Sequence, residues 1–373
     1  MSTASVSAPS LTAQKTLDTN WSNPVVVSAS SAPATKPVIL AGDQGLVHVL
    51  WEQDSRIYHA LYQSGRWAGP QSIGTGQRPA ASLAADGALH VVFSNEFGGV
   101  FNVFYVVLRN GNWTLPRLVS KTTGASTLPS LAVDSSGGIH AAWADTTPGF
   151  SVIYHGWLEE TWLNEPLLNA RGTAPALVHD SQQRQLHLAY QGSGISGGPR
   201  EVFHAQGSTY AWSLPENISI SANNESSAPA MACDAAGNTH LVWQEQQGNQ
   251  SQVRYVSGHR GNWSASERIS EAGVDARAPR VVVNQGSQAQ VVWRQGNTIA
   301  YRRKSTPDTQ WESVSALVTN SHGLGNPVIA GDPVGQLHLA WGSWTPYSDR
   351  AMFYSRRAAV LMPRIFIPHV QAE

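Results

Sequence analysis

One pattern of about 48 residues recurs seven times in this chain of 373 residues, and this repeat limits the fold more than any other feature. Each copy opens with a proline and passes through an apolar run and a turn with Asp or Asn. It then reaches a His-x-x-aromatic step, with Gln replacing His in the sixth copy. The opening prolines are Pro37, Pro79, Pro129, Pro175, Pro229, Pro279 and Pro327. A fixed period of this length, built from strand-like segments, is typical of a β-propeller. We therefore predict an all-β fold with seven four-stranded blades, whose strands we label A to D in chain order.

The tryptophans predict how the ring closes. A Trp follows the third strand in each of the first six repeats, at Trp67, Trp113, Trp162, Trp212, Trp263 and Trp311. The seventh repeat has no such Trp after Tyr354, but the N-terminal segment around Trp21 has the same form as the segment around Trp113. We therefore predict that an N-terminal strand closes the last blade, which pairs an otherwise open edge. The alternative is that residues 360–370 form that strand.

The predicted domain organisation follows from these boundaries. We expect a disordered leader at 1–19, a propeller at 20–357 and a C-terminal tail at 358–373. Within the propeller, residues 20–30 supply the outer strand of blade 7. The blades themselves are predicted at 37–76, 79–124, 129–171, 175–223, 229–273, 279–322 and 327–357.

Composition excludes several partners. Charged residues make up 13% of the chain and the net charge is −1, so no field for binding nucleic acid is expected. The apolar stretches are strand-sized, which predicts no membrane span, and the first 19 residues lack the apolar core of a signal peptide. The one cysteine, Cys233, lies in an apolar strand and is expected to be a buried structural thiol.

The repeated histidines suggest metal or acid–base chemistry at first sight. However, each occupies the same strand position, so a whole blade separates neighbouring copies, whereas metal ligation needs nitrogens about 2 Å from one ion. Buried imidazoles that hydrogen-bond to the next strand are the simpler interpretation. We predict no metal and no cofactor.

Binding residues are expected where the copies differ, in the B-to-C loops. These loops share one face with the D-to-A connections, and variable loops on a rigid scaffold commonly carry recognition. Flat aromatic rings suit the C–H faces of sugars, and arginines suit a carboxylate or sulfate. The predicted ligand-binding residues are Trp344, Tyr347, Phe97, Phe101, Phe150, Gln53, Asn95, Arg78, Arg171 and Arg277. We therefore expect a glycan or another polymer as the partner.

Catalysis by this face requires a convergent acid and base. The carboxylates near the ends of the B strands are Glu96, Asp145 and Glu245. Glu96 and Asp145 belong to adjacent blades and are the pair most easily brought together, as glycoside hydrolysis by two carboxyl groups requires.

The repeat resembles the sialidase-like propellers, also called bacterial neuraminidase repeats, over about residues 21–357. The matching elements are Asp-x-x-Gly-x-x-His-x-x-Trp at 234–243, followed by Tyr255 and Trp263. An intact Asp-box is not found, and the seven copies exceed the six blades typical of sialidases. Similar seven-bladed proteins include bacterial propeller lectins and polysaccharide lyases. The resemblance supports the propeller fold. From the variable loop face we predict a lectin-like protein that binds a glycan or another polymer, extracellular or on the cell surface. The alternative is a sialidase-like glycoside hydrolase or polysaccharide lyase, and the third interpretation is a protein-interaction scaffold.

Overall fold

The computed structural model describes residues 17–30, 32–193, 198–221, 223–284, 286–304, 310–320, 323–343 and 350–359. Thirty strands in these ranges form seven antiparallel sheets. Within six sheets the strands follow one another in chain order, and the outer position of two sheets is split into two short strands. The seven-bladed propeller predicted from the repeat is confirmed.

The first four blades are consecutive along the chain. Blade 1 contains β2 (Thr35–Ala41), β3 (Val47–Gln53), β4 (Arg56–Gln63) and β5 (Arg66–Thr75). Blade 2 contains β6 (Gln77–Leu83), β7 (Leu89–Phe97), β8 (Val100–Arg109), β9 (Asn112–Trp113) and β10 (Arg117–Leu118). Blade 3 contains β11 (Ser126–Val133), β12 (Ile139–Asp145), β13 (Val152–Leu158) and β14 (Trp162–Arg171). Blade 4 contains β15 (Thr173–Asp180), β16 (Gln185–Gly192), β17 (Glu201–Gly207) and β18 (Glu216–Asn217).

The last three blades complete the ring. Blade 5 contains β19 (Ser226–Cys233), β20 (Asn238–Gln247), β21 (Gln250–His259), β22 (Asn262–Trp263) and β23 (Glu267–Arg268). Blade 6 contains β24 (Ala276–Val283), β25 (Ala289–Gln295), β26 (Thr298–Arg303) and β27 (Ser315–Thr319). Blade 7 contains β28 (Val328–Gly331), β29 (Leu337–Ser343), β30 (Arg350–Arg357) and the N-terminal β1 (Val25–Ser30).

The ring closes through the N-terminal strand, as predicted. β1 runs antiparallel to β30 with Val25 opposite Tyr354, and Trp21 forms an isolated bridge to Arg357. The amide of Leu17, which falls inside the predicted leader, also donates a hydrogen bond to the carbonyl of Leu317. The alternative strand at 360–370 lies outside the described residues.

A ring of aromatic contacts joins each blade to the next. At one position of every third strand the chain has Tyr or His, and the outer-strand Trp of the following blade meets it edge-on. The ring centroids are 4.9–5.9 Å apart and the planes cross at 69–86°. Edge-to-face pairs of this kind stabilise beyond their buried area. The pairs are His59/Trp113, Tyr105/Trp162, His155/Trp212, His204/Trp263, Tyr255/Trp311, Tyr301/Trp21 and Tyr354/Trp67.

The same Tyr or His of the third strand also contacts the repeated histidine of the B strand. In each case Nδ1 of that histidine lies 2.6–3.2 Å from the Tyr hydroxyl or from Nε2 of the partner His. The six B-strand histidines are at most 6% exposed. Burial lowers the pKa of His48 to about 4, and burial together with its histidine neighbour lowers the pKa of His59 to about 3. These two rings are therefore neutral at pH 7 and serve the packing between strands.

No helix within the described residues has the length and the apolar character needed to cross a membrane.

Candidate functional site

The first strand of every blade lines a central channel. The cavity there has a volume of about 530 Å³ and is bordered by residues from the first strands of all seven blades. Because first strands begin where second strands end, the start of the channel opens on the face that carries the B-to-C and D-to-A loops. The loops predicted to carry recognition and the channel mouth therefore share one face.

A repeated backbone irregularity shapes this mouth. In six blades the residue before the opening proline has a positive φ of 50–56°, and the pairing register with the second strand shifts there. Proline has no N–H to donate to the ladder, so a bulge accommodates it. All six of these residues border the channel. They are Lys36, Arg78, Leu128, Ala174, Ala228 and Ala278.

Three cations border the channel. Lys36 and Arg78 occupy the position before the proline in the adjacent blades 1 and 2, and both are exposed. Arg280 follows the proline of blade 6 and is half-buried. Its Nη1 donates a hydrogen bond to the carbonyl of Pro279 at 2.8 Å. At the position of Arg280 the other blades have only Val, Ala or Ser, so Arg280 is the one long side chain there.

The charge of this cluster is not balanced within the channel lining. Loss of surrounding water lowers the pKa of Lys36, and Arg78 lowers it further; Glu52 partly offsets these effects and Arg280 adds to them. Burial also lowers the pKa of Arg280. No Asp or Glu is among the described residues that border the channel. We call Lys36, Arg78 and Arg280 the basic channel cluster.

Glu52 has a structural role beside the cluster. Its Oε2 accepts a hydrogen bond from the backbone amide of Arg78 at 2.9 Å, which links blade 1 to the bulge of blade 2. In the same way, Oε1 of Gln191 accepts a hydrogen bond from the amide of Ala228, and Oε1 of Gln244 accepts one from the amide of Ala278. Because a neutral amide suffices elsewhere, the carboxylate of Glu52 is not required for the link itself.

The three predicted arginines do not form one clamp. Arg78 borders the channel. The guanidinium carbon of Arg171 lies 4.2 Å from the centre of the Phe150 ring, in a cation–π contact. Nε of Arg277 pairs with Oδ2 of Asp275 at 2.6 Å. Lys36 and Arg280 therefore take the places expected for Arg171 and Arg277 around the mouth.

Two of the predicted aromatic residues are exposed on this face. Phe97, at the end of β7, is 67% exposed and touches Phe104 edge-on; Phe150, between β12 and β13, is 44% exposed. Phe101 is half-buried. Trp344 and Tyr347 lie outside the described residues, so their roles stay predictions.

The predicted polar positions are partly occupied by internal contacts. Gln53 is 6% exposed; its Oε1 accepts from Trp51 Nε1 at 3.0 Å, and its Nε2 donates to the carbonyl of Ala32. Gln295 accepts from Trp293 in the same manner. Asn95 is half-buried. The side chain two residues after the B-strand Trp thus accepts a hydrogen bond from the indole in blades 1, 3 and 6.

Asp145 is placed as a structural carboxylate. It is fully buried and accepts hydrogen bonds from Thr122, Ser126, Trp143 and both the amide and hydroxyl of Thr147, at 2.5–3.4 Å. Burial alone raises the pKa of Asp145, but the bonds from Thr122, Thr147 and Ser126 outweigh it and bring the pKa below its usual value. The ionised form is stabilised, which does not suit a general acid.

The other two predicted carboxylates differ from each other. Glu245 is 3% exposed, and its Oε1 contacts Gln252 Nε2 at 2.7 Å and Arg254 Nε at 3.1 Å. Glu96 is exposed at the end of β7. A catalytic role for Glu96, Asp145 or Glu245 stays a prediction, and Glu96 is the one of the three whose position leaves it open to a ligand.

Comparison with protein-family models and with curated protein sequences gives no significant match. Solved structures do match. A polysaccharide lyase of family PL25, an ulvan lyase, has a TM-score of 0.65 at 12% identity, over 89% of this chain and 95% of the lyase. The ulvan lyase bound to -[GlcA(1-4)Rha3S]- gives 0.62 with the same identity and coverage.

Two further propellers show the same likeness. A fucose-specific lectin from Aleuria aurantia has a TM-score of 0.52 at 12% identity, over 77% of this chain and 96% of the lectin. A GH93 α-L-arabinofuranosidase of Fusarium graminearum has 0.53 at 13% identity, over 75% and 92%. At these identities the likeness shows a shared fold.

Proposed function

We propose that this protein is a carbohydrate-binding propeller that holds an acidic glycan, one carrying carboxylate or sulfate groups, on the face with the B-to-C and D-to-A loops. The basic channel cluster is the observation that carries the proposal. Three cations meet at one concave opening without a carboxylate in the described lining. Anionic groups pair strongly with Arg and Lys in such places, because charge-assisted hydrogen bonds are stronger than neutral ones.

The neighbouring blades supply surfaces for the rest of the sugar. Lys36 and Arg78 belong to blades 1 and 2, while Phe97 and the Phe150/Arg171 pair belong to blades 2 and 3. An exposed ring packs against sugar C–H groups, so a chain extending from the channel mouth across blades 2 and 3 meets both kinds of contact. The fold is shared with a lectin, a glycosidase and lyases that act on or bind carbohydrates, which agrees with this assignment.

Binding to a glycan array tests the proposal. Uronate-containing and sulfated glycans are compared with neutral glycans of the same length, at low and at physiological salt. Arg78→Ala and Arg280→Ala are each expected to weaken acidic-glycan binding roughly 10- to 150-fold, the value of a lost hydrogen bond to a charged group. Raising the salt concentration should also weaken the binding of acidic glycans by the wild-type protein.

A matched control separates a specific site from general charge. Arg109 pairs with Asp86 at the opposite end of blade 2, so Arg109→Ala removes the same charge from the other face. This variant should bind like the wild type. Equal affinity for acidic and neutral glycans, or an equal loss in Arg109→Ala, contradicts the proposal.

The aromatic contact has its own test. Phe97→Ala is expected to weaken binding of long glycans more than binding of a single acidic sugar, because in the proposed complex this ring contacts sugar units beyond the acid group. The same loss in Trp344→Ala would support the role predicted for Trp344 from the sequence. Since Phe97 is largely exposed, its removal should leave the melting temperature almost unchanged.

The alternative of a polysaccharide lyase or glycoside hydrolase is favoured by the fold shared with the ulvan lyase and by the exposed Glu96. In a lyase, the basic channel cluster would neutralise the uronate. Incubation with the bound polysaccharides distinguishes the enzyme from the lectin, since a lyase produces unsaturated uronates detectable by ultraviolet absorbance and a hydrolase produces new reducing ends. Product formation that is lost in Glu96→Gln supports the enzyme. Binding without product supports the lectin. If the protein shows neither binding nor product, the protein-interaction scaffold is the remaining interpretation.

A further inference from the structure

Blades 4 and 5 enclose two buried polar atoms without partners on the face opposite the proposed glycan site. Asp180 and His187 are 0% and 2% exposed. Among the described residues, Oδ2 of Asp180 and Nε2 of His187 have no hydrogen-bond partner. The two atoms are 4.0 Å apart, too far for a hydrogen bond between them. Unsatisfied buried polar atoms are costly and call for an explanation.

The same Asp–His pair is closer in blades 3, 5 and 7. The oxygen–nitrogen distance is 3.2 Å for Asp134 and His140 in blade 3, and 3.4 Å for the pair in blade 7. In blade 5 it is 3.7 Å. Of the four pairs within 4.0 Å, the one in blade 4 is the widest.

The side chain facing the blade 4 pair is the single thiol of the chain. Cys233 ends β19 of blade 5, and its Sγ, Oδ2 of Asp180 and Nε2 of His187 all lie within 4.8 Å of one another. Blades 3 and 6 have Val133 and Val283 at the position of Cys233. Among the described residues, Oδ2 of Asp180 is the one buried carboxylate oxygen without a hydrogen-bond partner, and it lies beside the sulfur atom.

We propose that Asp180, His187 and Cys233 bind one transition-metal ion, with Zn²⁺ as the expected ion and a water completing four-coordination. Thiolate, imidazole and carboxylate are its usual ligands, at about 2.3 Å for sulfur and about 2.0–2.2 Å for nitrogen and oxygen. In a tetrahedron of these lengths the ligand atoms are about 3.3–3.7 Å apart. A contraction of roughly 1 Å around the ion brings the three atoms into place.

The surroundings already orient these ligands. Oδ1 of Asp180 accepts the amides of Gln182 and Gln183 at 2.8 and 3.0 Å, which aims Oδ2 at the site. Nδ1 of His187 lies 3.0 Å from Nε2 of His204. Metal binding through Nε2 places the imidazole proton on Nδ1, from which it is donated to His204, an arrangement common around metal-bound histidines. The thiol proton of Cys233 passes to solvent when the ion binds.

The turns above the site are joined across the blades. Nε2 of Gln183 donates to the carbonyl of Gly237 at 2.7 Å, which ties the A-to-B turn of blade 4 to that of blade 5. An ion bound by Asp180 and His187 of blade 4 and by Cys233 of blade 5 would link the same two blades through its coordination bonds. The predicted role is structural reinforcement of this interface.

Cobalt titration of the full chain tests the site. Protein stripped with a chelator is titrated with Co²⁺, and one equivalent should bind with a thiolate-to-cobalt charge-transfer band and a raised melting temperature. Cys233→Val should fold, because Val occupies this position in two blades, but should lose the band. Asp180→Asn should weaken binding, whereas Asp134→Asn, the same change in blade 3, should leave it intact.

Three results overturn the proposal. These are no stoichiometric uptake with a sulfur band in the wild-type protein, a band that persists in Cys233→Val, and equal weakening by Asp134→Asn and Asp180→Asn. Zinc content of the protein as purified, measured by elemental analysis, gives an independent readout. About one equivalent that falls towards zero in Cys233→Val supports the site.

Discussion

The buried pair of His140 and His155 predicts a steep loss of stability in acid. Trp212 Nε1 donates to Nδ1 of His155 at 3.3 Å, and Nε2 of His155 lies 3.2 Å from Nδ1 of His140. Nε2 of His140 in turn lies 3.2 Å from Oδ2 of Asp134. One neutral tautomer of each ring satisfies the whole chain of contacts, and a proton added to His155 leaves two donors facing each other.

The size of the effect follows from the pKa of His155. Burial and the neighbouring His140 lower this pKa to about 3, whereas an unfolded histidine titrates near about 6.5. The folded state therefore binds fewer protons than the unfolded state below pH 6.5. Stability falls as the pH drops from about 6.5 towards about 3, and at pH 5 the loss from this one residue is about 2 kcal/mol.

Substitution by the residue that other blades use isolates this contribution. Blade 7 has Tyr354 at the position of His155, opposite Ala340 where blade 3 has Ala142, so the ring has a precedent in the same surroundings. Between pH 8 and pH 5, the free energy of unfolding of His155→Tyr should fall by about 2 kcal/mol less than that of the wild type. The measurement is the free energy of unfolding in denaturant at both pH values, with a chelator present so that metal release does not contribute.

The reciprocal change provides the control. Tyr105→His places a second histidine beside His90 in blade 2 and should steepen the acid loss by a comparable amount. If His155→Tyr loses as much stability as the wild type between the two pH values, the buried neutral pair does not cause the acid sensitivity, and the reasoning is refuted.

Three further predictions concern the framework. Trp21→Ala should destabilise the protein by about 3–5 kcal/mol, since Trp21 is 3% exposed and packs on Tyr301; a melting temperature equal to wild type would contradict its role in closure. Asp145→Asn should cost at least about 2 kcal/mol in denaturant unfolding while leaving glycan affinity of the folded protein unchanged, and a selective loss of activity would instead support catalysis. Gly192→Ala should destabilise by about 1–3 kcal/mol, because a Cβ there overlaps the carbonyl oxygen of Arg171, and unchanged stability would show that the two strands separate freely.

The fold was predictable because the same strand pattern occurs seven times in the sequence. A single copy has short strands that are ambiguous alone, but the period and the position of each Trp define the blade, and Trp21 could be recognised as the missing copy. The contacts behind this pattern, with a Trp from one blade meeting Tyr or His of the previous one, explain why that Trp recurs.

The site was predictable only in part, for a local reason. Arg78, Arg171 and Arg277 all precede a proline by a few residues, yet only Arg78 occupies the bulge position directly before it. A non-glycine residue before proline usually has an extended backbone, so the positive φ that turns this position to the channel is not expected from sequence. Two signals were available: Lys36 precedes Pro37 as Arg78 precedes Pro79, and Arg280 stands where all other copies have small residues.

The proposed metal site was not predictable from the sequence, for a different reason. Equivalent histidines in different blades cannot share an ion, and that reasoning still holds. That reasoning, however, compares only residues at equivalent positions of the repeat. Asp180, His187 and Cys233 occupy three unlike positions of the repeat, and only the packing of blade 4 on blade 5 brings them together.

The pairing of β1 with β30 sets an order of events during synthesis on the ribosome. Val25 leaves the exit tunnel long before Tyr354, its partner across the strands, has been translated. At about 5–20 residues per second, the 329 residues from position 26 to position 354 take roughly 15 to 65 s. For that time the valines of β1 have no sheet to join, while the earlier blades are free to form. The last blade is therefore completed only after the other six blades have been translated, by a segment that was made before all of them.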